Sequence, residues 1–482
     1  MGSMIGSLWF LYGPRYASTI VYMLQSTEYQ AGPYLKWLWR TKDFSHVSQR
    51  RTLVRTKAAR LLLLGLVLGM LLQALIGLLL IILGVWYGLA GGVAFGLAII
   101  IAYPFVWSHL VVVPLLFGKW LIVAPKERRL VADSEAIFAS HPGIKIAVAG
   151  SYGKTTMKEL LATVLSEGKK VAATPANKNV AVSHAQFAQK LQGNEDMLII
   201  EYGEGAPGDV ARFSAITHPT HAIITGLAPA HLDHYPTLEA AGQDIFAVAD
   251  YLQGKNVYVN DESQAIKSFI KNSYHVFNNL GALGWKVKDV KVSLQGLKFK
   301  LQKGKQSLEL ESGLVGRHQI AVLALVAALG LELGLSAEQI RRGIAKTVSF
   351  EHRMQPYQLG GAWVIDDTYN GNIEGIRAGT ELIKELPAKR KIYVTPGLVD
   401  QGEEIAKVHV EMGKLIAEAQ PDLVVLMRNS VTQYIQTGLK ESGFQGELRL
   451  ETDPLNFYAN LEHFVAAGDL VLMQNDWTDN YA

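Results

Sequence analysis

The pattern of hydrophobic and polar positions divides the chain into an apolar first quarter and a longer remainder in which short apolar runs alternate with amphipathic segments. From Leu61 to Gly118 no Asp, Glu, Lys or Arg occurs. A membrane-crossing helix needs roughly 20 apolar residues, so this stretch is long enough for two. Gly84–Gly92, "GVWYGLAGG", is the natural turn between them. The pattern predicts an α-helical transmembrane hairpin over residues 61–125.

Basic residues flank the apolar stretch on both sides. They are Arg50, Arg51, Arg55, Lys57 and Arg60 before it, and Lys119, Lys126, Arg128 and Arg129 after it. Basic flanks stay on the cytoplasmic side of a membrane, so both ends of the hairpin are expected there. The alternative interpretation is a hairpin that is buried inside a soluble protein.

Residues 1–60 are rich in aromatic side chains and mixed in charge. This texture predicts amphipathic helices that lie on the membrane surface. Leu8–Leu24 is long enough for a further insertion, but Arg15 and the polar residues near it disfavour that interpretation.

After Lys126 short apolar runs alternate with helical segments, a pattern typical of a mostly parallel sheet. The runs are "KIAVAG", "MLIIEYG", "HAIITGL" and "NVYVND". Val287–Leu310 alternates apolar and polar residues, which predicts an antiparallel hairpin, and "AWVIDDTYN" opens a second α/β unit. We therefore expect an α/β protein with a central P-loop ATPase domain over residues 126–349 and a Rossmann-like domain over residues 350–482.

The amino-acid composition excludes several kinds of site. The chain has no cysteine, which excludes disulfides, thiol catalysis and Cys-ligated metals. The net charge of +3 in 482 residues gives no reason to expect nucleic-acid binding.

The segment "KIAVAGSYGKTTMKELLATVL" has the form of a strand, a phosphate-binding loop and a helix. Gly150 and Gly153 let the backbone approach a phosphate, and the helix N-terminus favours an anion. Lys154 would reach the β- and γ-phosphates of a nucleotide, and the Thr155 hydroxyl would bind Mg²⁺. Val148 stands where the common pattern G-x-x-x-x-G-K-[ST] requires glycine. The alternative is a glycine-rich structural turn before a helix.

The loop instead has the shorter form G-[ST]-x-G-K-[ST]-[ST], which resembles the Mur ligase family, whose members join amino acids or peptides to cell-wall precursors. Within that family it is most similar to the loop of the member that adds a D-alanyl-D-alanine dipeptide. Further segments follow in the family's order: "TPANKNVAVSH", "IIEYGEGAPGDV", "IITGLAPAHLDHY", "LVGRHQIAVLALVAAL", "FEHRMQ" and "VIDDTYNGN".

The resemblance implies a ligase in which ATP activates a carboxylate as an acyl phosphate, which an amine then attacks. It implies ATP and Mg²⁺ as cofactors, with catalytic roles for Lys154, His231 and Arg353. The implied Mg²⁺ ligands are Thr155, Glu201 and His231. The implied nucleotide-binding residues are Gly150, Ser151, Gly153, Lys154, Thr155, Thr156, Asn177, Gln319, Arg353 and Asp367, with Asp367 at the ribose position.

The sequence also departs from the family pattern. Gly242 stands where the family has a lysine that is carbamylated and bridges metal ions, which leaves the second metal weakly held or held by another group such as Asp244. The family's helix start reads H-N-x-x-N, with the first asparagine near the adenine; Gln319 stands there and can replace the amide, whereas Val322, at the second asparagine, cannot. Late in the chain, "QNDWTDNYA", from Gln474, replaces a basic loop near the incoming amine. The membrane segment occupies the place of the domain that binds a nucleotide sugar.

These features predict a ligase in a bacterial inner membrane, with its catalytic domains on the cytoplasmic side. The expected partners are the bilayer, a lipid-linked or polymeric carboxylate acceptor, an amino acid or short peptide as amine, and a membrane protein or a second copy of the chain. The alternatives are a poly-γ-glutamate-synthase-like ligase, a membrane-tethered P-loop regulatory NTPase or kinase, and a scaffold that has lost catalysis.

Overall fold

A computed structural model describes residues 10–27, 29–41, 44, 53–176, 178–228, 235–369, 371–399 and 401–475. The chain divides into two compact units, Met1–Arg129 and Leu130–Ala482. The described part of the first unit is helical, and the second unit has an α/β architecture.

The first unit contains a pair of long apolar helices that pack against each other in opposite directions. Its helices are α1 Pro14–Ser26, α2 Ala31–Arg40, α3 Lys57–Trp86, α4 Ala90–Leu110 and α5 Val112–Gly118, followed by a π-helical turn Lys119–Val123. The predicted turn is confirmed, because α3 ends at Trp86 and α4 begins at Ala90. Both α3 and the helical run Ala90–Ser140 are long and apolar enough to cross a membrane.

The two helices α1 and α2 do not stand apart from the pair formed by α3 and α4. Tyr16, Ile20 and Leu24 of α1 and Tyr34 of α2 are fully buried in one apolar cluster with residues of α3. The Tyr34 hydroxyl donates a hydrogen bond to the carbonyl of Ser108 in α4 at 2.7 Å. The sequence predicted amphipathic helices in this region, lying on the membrane surface. In the structure, residues of α3 pack against their apolar and aromatic face.

Close approach of α3 and α4 depends on glycine. A Cβ atom on Gly77 would lie 2.8 Å from the Gly96 carbonyl oxygen, whereas a Cβ atom on Gly65 would meet no atom within 4 Å. We expect Gly77→Leu to lower the thermal unfolding midpoint of the detergent-solubilised protein, since overpacking costs about 1–3 kcal/mol. The matched variant Gly65→Leu, on the same helix, should change it little. Equal losses in the two variants would contradict this packing.

The second unit begins with a ten-stranded sheet in the order β10-β9-β8-β7-β6-β5-β4-β1-β3-β2. Strands β1 to β6 pair in parallel, and β7 to β10 continue the sheet antiparallel. The predicted hairpin over 287–310 is part of the meander β8–β10. The strands are β1 Ile144–Ala149, β2 Val171–Ala173, β3 Met197–Glu201, β4 His221–Ile224, β5 Val257–Asn260, β6 His275–Asn278, β7 Gly281–Ala282, β8 Trp285–Ser293, β9 Gly296–Lys303 and β10 Gln306–Ser312.

Helices cover both faces of the parallel part of this sheet, as parallel sheets require. Two apolar clusters fill the space between sheet and helices, one on each face. The helices are α6 Ala124–Ser140, α7 Lys154–Leu165, α8 Ala181–Ala188, α9 Asp209–Thr217, α10 Leu238–Tyr251, the 3₁₀ helix Gln264–Phe269, α11 Gln319–Glu332 and α12 Ala337–Ala345.

A second sheet of six strands has the order β11-β12-β16-β13-β14-β15 and is parallel except for the edge strand β11. Its strands are β11 Gln355–Leu359, β12 Ala362–Asp367, β13 Arg390–Thr395, β14 Leu423–Met427, β15 Glu447–Glu451 and β16 Asp469–Gln474. Its helices are α13 Ile373–Glu385, the 3₁₀ helix Gly402–Glu404, α14 Ile405–Ala419, α15 Thr432–Glu441, α16 Pro454–Ala459 and α17 Leu461–Phe464. The predicted α/β class is confirmed.

Strand register brings the ends of β1, β3 and β4 to one edge of the first sheet. Val148 pairs with Glu201, and Ala149 pairs with Ile224. The loop after β1, the last residue of β3 and the segment after β4 therefore meet at the carboxyl edge. This edge is where open α/β sheets bind their ligands.

Candidate active site

The loop between β1 and α7 is held by glycine geometry and by the segment after β4. Gly150 and Gly153 have φ angles of +136° and +72°, which side chains other than glycine rarely adopt. A Cβ atom on Gly150 would also lie 2.3 Å from the Thr225 hydroxyl oxygen. The Ser151 amide donates to the Gly226 carbonyl at 3.0 Å. The loop thus has a fixed path that leads directly into the N-terminus of α7.

Lys154, the first residue of α7, is held by a glutamate that the sequence analysis missed. Its ammonium donates to Glu204 Oε2 at 2.7 Å and to the Gly150 carbonyl at 2.5 Å. The Glu204 side chain is 3% exposed. Its other oxygen, Oε1, is buried and makes no hydrogen bond within the described part of the chain. The signal in the sequence was an acid in "EYGEG", three residues beyond Glu201.

Thr155 and Glu201, predicted as metal ligands, lie together. The Thr155 hydroxyl donates to Glu201 Oε1 at 3.1 Å, and the Asn179 amide donates to the same oxygen at 3.2 Å. Asn179 belongs to the segment "TPANKNVAVSH", the asparagine-bearing loop. The sequence analysis singled out Asn177 of this loop, which lies outside the described residues. His231, the third predicted ligand, also lies outside them.

Lys158 is a buried cation behind this pair and was also missed. It is 0% exposed, and its ammonium lies 3.3 Å from Glu201 Oε2 and 3.2 Å from Glu159 Oε1. It also donates to the Ala176 carbonyl in the asparagine-bearing loop. Lys158 follows Lys154 by four residues, so the two lie on one face of α7. It joins the helix, the end of β3 and the neighbouring loop.

The backbone of Glu201 is fixed as firmly as its side chain. The imidazole of His184 donates from Nε2 to the Glu201 carbonyl at 2.8 Å, and the Glu201 amide donates to the Thr174 hydroxyl at 3.1 Å. Burial lowers the pKa of His184 to about 4, so this ring is neutral at pH 7. It holds the strand end without adding charge to the site.

Arg353 and Asp367 form a second group, at the second sheet. Asp367 ends β12, and its oxygens accept hydrogen bonds from the Met354 amide at 3.1 Å and from the Gln474 side chain at 2.8 Å. Burial raises the pKa of Asp367 to about 7, although these hydrogen bonds and the charge of Arg353 act in the opposite direction. The Arg353 guanidinium lies over the Tyr369 ring, 4.4 Å from its centroid. Gln474, where the sequence departs from the family, therefore orients Asp367.

Gln319 begins α11, as predicted, and lies beside His318. The Gln319 amide nitrogen is 2.9 Å from His318 Nε2. Burial lowers the pKa of His318 to about 4, so the neutral ring accepts this hydrogen bond. This hydrogen bond fixes the orientation of the Gln319 amide group. Of the other predicted loop residues, Thr156 is buried in the first turn of α7.

The surroundings of Gly242 and Asp244 show what packs at the position of the family's lysine. A Cβ atom on Gly242 would lie 2.4 Å from Cζ of Phe269, so a lysine does not fit there unless Phe269 moves. The oxygens of Asp244 accept hydrogen bonds from the Tyr235 hydroxyl at 2.8 Å and the Gly208 amide at 2.7 Å. Asp244 thus ties α10 to neighbouring loops, and both of its oxygens already accept a hydrogen bond.

The described residues contain no group of three or more His, Cys, Asp or Glu side chains that could hold a metal ion. The donors present nevertheless suit Mg²⁺, which prefers hydroxyl and carboxylate oxygens. Thr155 supplies a hydroxyl, Glu204 Oε1 is buried and makes no hydrogen bond to the described protein, and Glu201 Oε2 makes only the 3.3 Å ion pair with Lys158. The site therefore fits a magnesium ion whose remaining ligands come from phosphate or water.

One family model matches the middle of the chain. The sequence model of the Mur ligase middle domain matches residues 148–330, which include the phosphate loop, Glu201, Glu204 and the start of α11. This chain contains a Mur ligase middle domain. The match begins at Val148 in β1 and ends within α11, so it covers the parallel sheet, the meander and the site on the carboxyl edge.

Relatives with a Mur ligase domain extend the similarity beyond this segment. The chain is 28% identical over 294 residues to the UDP-N-acetylmuramoyl-tripeptide--D-alanyl-D-alanine ligase of Escherichia coli, covering 59% of this chain and 64% of that protein. It is 28% identical over 366 residues to the enzyme of the same name from Mycobacterium leprae, covering 68% and 70%. The chain thus spans less than two thirds of the length of the first of these relatives.

Solved structures share the fold of most of this chain. MurF from Thermotoga maritima in complex with ADP superimposes with a TM-score of 0.64 at 20% identity, covering 73% of this chain and 80% of that one. MurF from Acinetobacter baumannii gives a TM-score of 0.63 at 20% identity, covering 72% and 77%.

Proposed function

We propose that this chain is a membrane-anchored, ATP-dependent carboxylate–amine ligase that releases ADP and phosphate. One observation carries the proposal. Lys154 and Thr155, the first two residues of the helix after the phosphate loop, each bond to a glutamate: Thr155 to Glu201, the last residue of β3, and Lys154 to Glu204 in the turn that follows. Basic, hydroxyl and carboxylate groups converge there, as Mg²⁺–nucleotide chemistry requires. The Mur ligase middle domain and the names of the relatives support it.

The phosphate loop would bind the β- and γ-phosphates of ATP. Backbone N–H groups at the start of α7 favour an anion, and Lys154 lies close enough to the loop to exchange its bond to Glu204 for a bond to phosphate. A Mg²⁺ ion held by Thr155 and Glu201, together with His231, would neutralise charge on the phosphates. Lys158 keeps Glu201 in place and balances its charge within the buried interior.

The reaction we propose has two steps. A carboxylate oxygen of the acceptor attacks the γ-phosphorus, the bond to the β-phosphate oxygen breaks, and ADP leaves with an acyl phosphate formed. The amine then attacks the acyl carbon, and the tetrahedral intermediate expels phosphate and loses a proton from nitrogen. Negative charge builds on the transferred group in the first step, so cations placed in advance lower the barrier. Lys154 and Arg353 are the proposed cations.

Asp367 gives this proposal a pH dependence. Its pKa of about 7 lies above the ordinary value of 3.8, so the folded protein binds this proton more tightly than the unfolded chain does. The stability that this group contributes is therefore greatest at acid pH and is lost as the pH rises through about 7. Nucleotide binding changes in the opposite sense if the ionised carboxylate accepts hydrogen bonds from the ribose.

We expect ADP affinity to fall as the pH is lowered through about 7, because protonated Asp367 loses its charge-assisted hydrogen bonds. The measurement is fluorescence titration with a labelled ADP between pH 6 and 8.5. The Asp367→Asn variant should bind ADP more weakly at pH 8, and its ADP affinity should no longer fall as the pH is lowered through about 7. Any pH dependence of ADP affinity that the variant retains comes from titration of the nucleotide phosphates. Parallel profiles for the two proteins would contradict a role for Asp367 in binding ribose.

The substrates we propose follow from the relatives' names and from the apolar helices that precede the α/β unit. The relatives are named for joining D-alanyl-D-alanine to a UDP-linked tripeptide. For this chain we propose a short peptide or amino acid as the amine and a cell-envelope precursor or polymer, presented at the bilayer, as the carboxylate. A bacterial inner membrane with the catalytic unit on its cytoplasmic side accommodates both.

Membrane anchoring rests on α3 and α4. Most of their large apolar side chains are exposed, among them Leu72, Leu75, Phe95 and Ile101, and such a surface suits lipid rather than water. Full-length protein should sediment with membranes and need detergent for a monodisperse preparation. Recovery of the intact chain from the cytosol without detergent would rule out the anchor.

The experiment that tests the reaction is a screen for ADP and phosphate release. The detergent-solubilised full-length protein is given ATP and Mg²⁺ with pairs of amines and carboxylates. The pairs include D-alanyl-D-alanine, glutamate, free and lipid-linked peptides, and poly-γ-glutamate. Turnover that requires one amine and one carboxylate together supports a ligase. Turnover that neither substrate changes would identify a regulatory NTPase instead.

A further inference from the structure

The family's metal-bridging lysine is replaced here by Gly242, so another group is needed to complete the metal site. Gly242 packs against Phe269, so the family's bridging lysine has no counterpart there, and the oxygens of Asp244 are engaged elsewhere. We propose that Glu204 supplies the second carboxylate for Mg²⁺, and that Lys154 covers it until a phosphate draws the ammonium away. This inference rests on the proposed function.

The burial of Glu204 is the first argument. Its side chain is 3% exposed, and carboxylates are almost never so deeply buried unless they are paired or bind a metal. Lys154 pairs with Oε2 only. Oε1 is buried and, throughout the ranges that the structure describes, makes no hydrogen bond. A purely structural ion pair would leave this oxygen unsatisfied, whereas a ligand of a cation would use it.

The neighbours of Glu204 are the second argument. Lys154 and Thr155 are consecutive residues, and one bonds to Glu204 while the other bonds to Glu201. The two carboxylates therefore flank the first turn of α7, with the Thr155 hydroxyl on the side of Glu201. This places one hydroxyl and two carboxylates at the end of the phosphate loop, and Mg²⁺ prefers a set of such oxygens.

Lys154 would couple metal binding to nucleotide binding. Its ammonium, 2.7 Å from Glu204, opposes a cation at that carboxylate. The β- and γ-phosphates would compete with Glu204 for the same ammonium, and that exchange would free the carboxylate as the metal arrives with the nucleotide. The competing explanation is that Glu204 only positions Lys154 and never contacts the metal.

The test uses Mn²⁺ as the probe and needs no turnover. Electron paramagnetic resonance measures Mn²⁺ affinity of the full-length protein in detergent without nucleotide, for wild type, Lys154→Met, and Lys154→Met combined with Glu204→Gln or Glu204→Asp. Lys154→Met should bind Mn²⁺ about tenfold more tightly than wild type, since it uncovers the carboxylate. Glu204→Gln should reverse this gain, because loss of a group that orients or binds a metal costs about 10–100-fold.

Two further variants separate direct binding from a general effect of charge. Glu204→Asp keeps the charge but withdraws the carboxylate by one methylene, so it should also lose most of the gain. Glu159→Gln in the Lys154→Met background removes a nearby, half-exposed charge and should retain it. If Lys154→Met fails to raise the affinity, or if Glu204→Gln or Glu204→Asp leaves the gain intact, the inference is wrong.

The Mn²⁺ titration and the turnover assay can fail separately, so the two proposals are tested independently. Failure of the Mn²⁺ test with substrate-dependent ATP turnover intact would reject Glu204 as a ligand and leave the proposed function standing. Absence of turnover with every substrate pair would reject the proposed function, and the Mn²⁺ titrations would still decide whether Glu204 binds a metal.

Discussion

Replacing Lys154 with alanine is expected to abolish ATP turnover while leaving the fold intact. Its ammonium is the cation at the N-terminus of α7, within 2.7 Å of Glu204 and 2.5 Å of the Gly150 carbonyl. Loss of one preorganised donor to the developing charge typically costs about 10²–10³ in rate, and here a full positive charge disappears as well. ADP formation by the solubilised protein, at saturating substrates, measures the effect.

The matched control for this variant is Lys255→Ala, which removes an exposed lysine from the turn before β5. It should keep the turnover of the wild type. Circular dichroism and thermal unfolding of both variants check that the fold survives. Turnover of Lys154→Ala within about threefold of wild type would mean that the loop after β1 does not bind the reacting phosphates.

Replacing Lys158 with methionine is expected to cause the largest loss of stability. Lys158 and Glu201 are 0% and 1% exposed, and the variant leaves the Glu201 carboxylate buried without its cation. Removing one partner of a buried ion pair costs about 3–5 kcal/mol. The thermal unfolding midpoint in detergent should fall accordingly, and ATP turnover should fall with it because Glu201 loses its position. Glu159→Gln, which removes the exposed partner of Lys158, should cost less than about 1 kcal/mol.

The double variant Lys158→Met/Glu201→Gln distinguishes stability from function. Since both charges disappear together, much of the lost stability should return. ATP turnover should stay low, because Glu201 is the proposed metal ligand. A double variant as unstable as Lys158→Met alone would show that the bond from Lys158 to the Ala176 carbonyl, rather than the ion pair, holds this region.

Much of the fold was predictable because it depends on local patterns. The uncharged stretch fixed the positions of α3 and α4, and apolar runs before glycine or polar turns fixed most strands. The position of Lys154 and Thr155 followed from the loop itself, since a strand, two glycines and a helix allow few geometries. The segment predicted as one hairpin, 287–310, instead belongs to three strands, β8–β10, because two short turns, at 294–295 and 304–305, divide it.

The residues that sequence analysis missed depend on contacts between distant segments. Lys158 has the spacing of a solvated helix residue, and its contacts, the Ala176 carbonyl and Glu201, come from other segments of the chain. Glu204 is one acid in a glycine-rich turn, and its contact with Lys154 depends on the pairing of β1 with β3. Asn179 and Asn177 are equivalent as sequence signals. Register and loop path, which no local pattern encodes, decide that Asn179 contacts Glu201.

The role of Gly242 also depends on contacts between distant segments. In the sequence it marks only the absence of the family's lysine. The structure gives the glycine a packing role against Phe269. A residue that departs from a family pattern can thus be required by its packing against neighbouring side chains.

The central claim is that ATP activates a carboxylate for attack by an amine, and transfer of oxygen tests it most directly. The acceptor peptide, free or lipid-linked, carries ¹⁸O in its terminal carboxylate, D-alanyl-D-alanine is the amine, and the released phosphate is analysed by mass spectrometry. The account predicts one ¹⁸O atom in phosphate for each amide formed, and none with Lys154→Ala. Amide formation with unlabelled phosphate, or ADP release at the same rate without acceptor and amine, would contradict it.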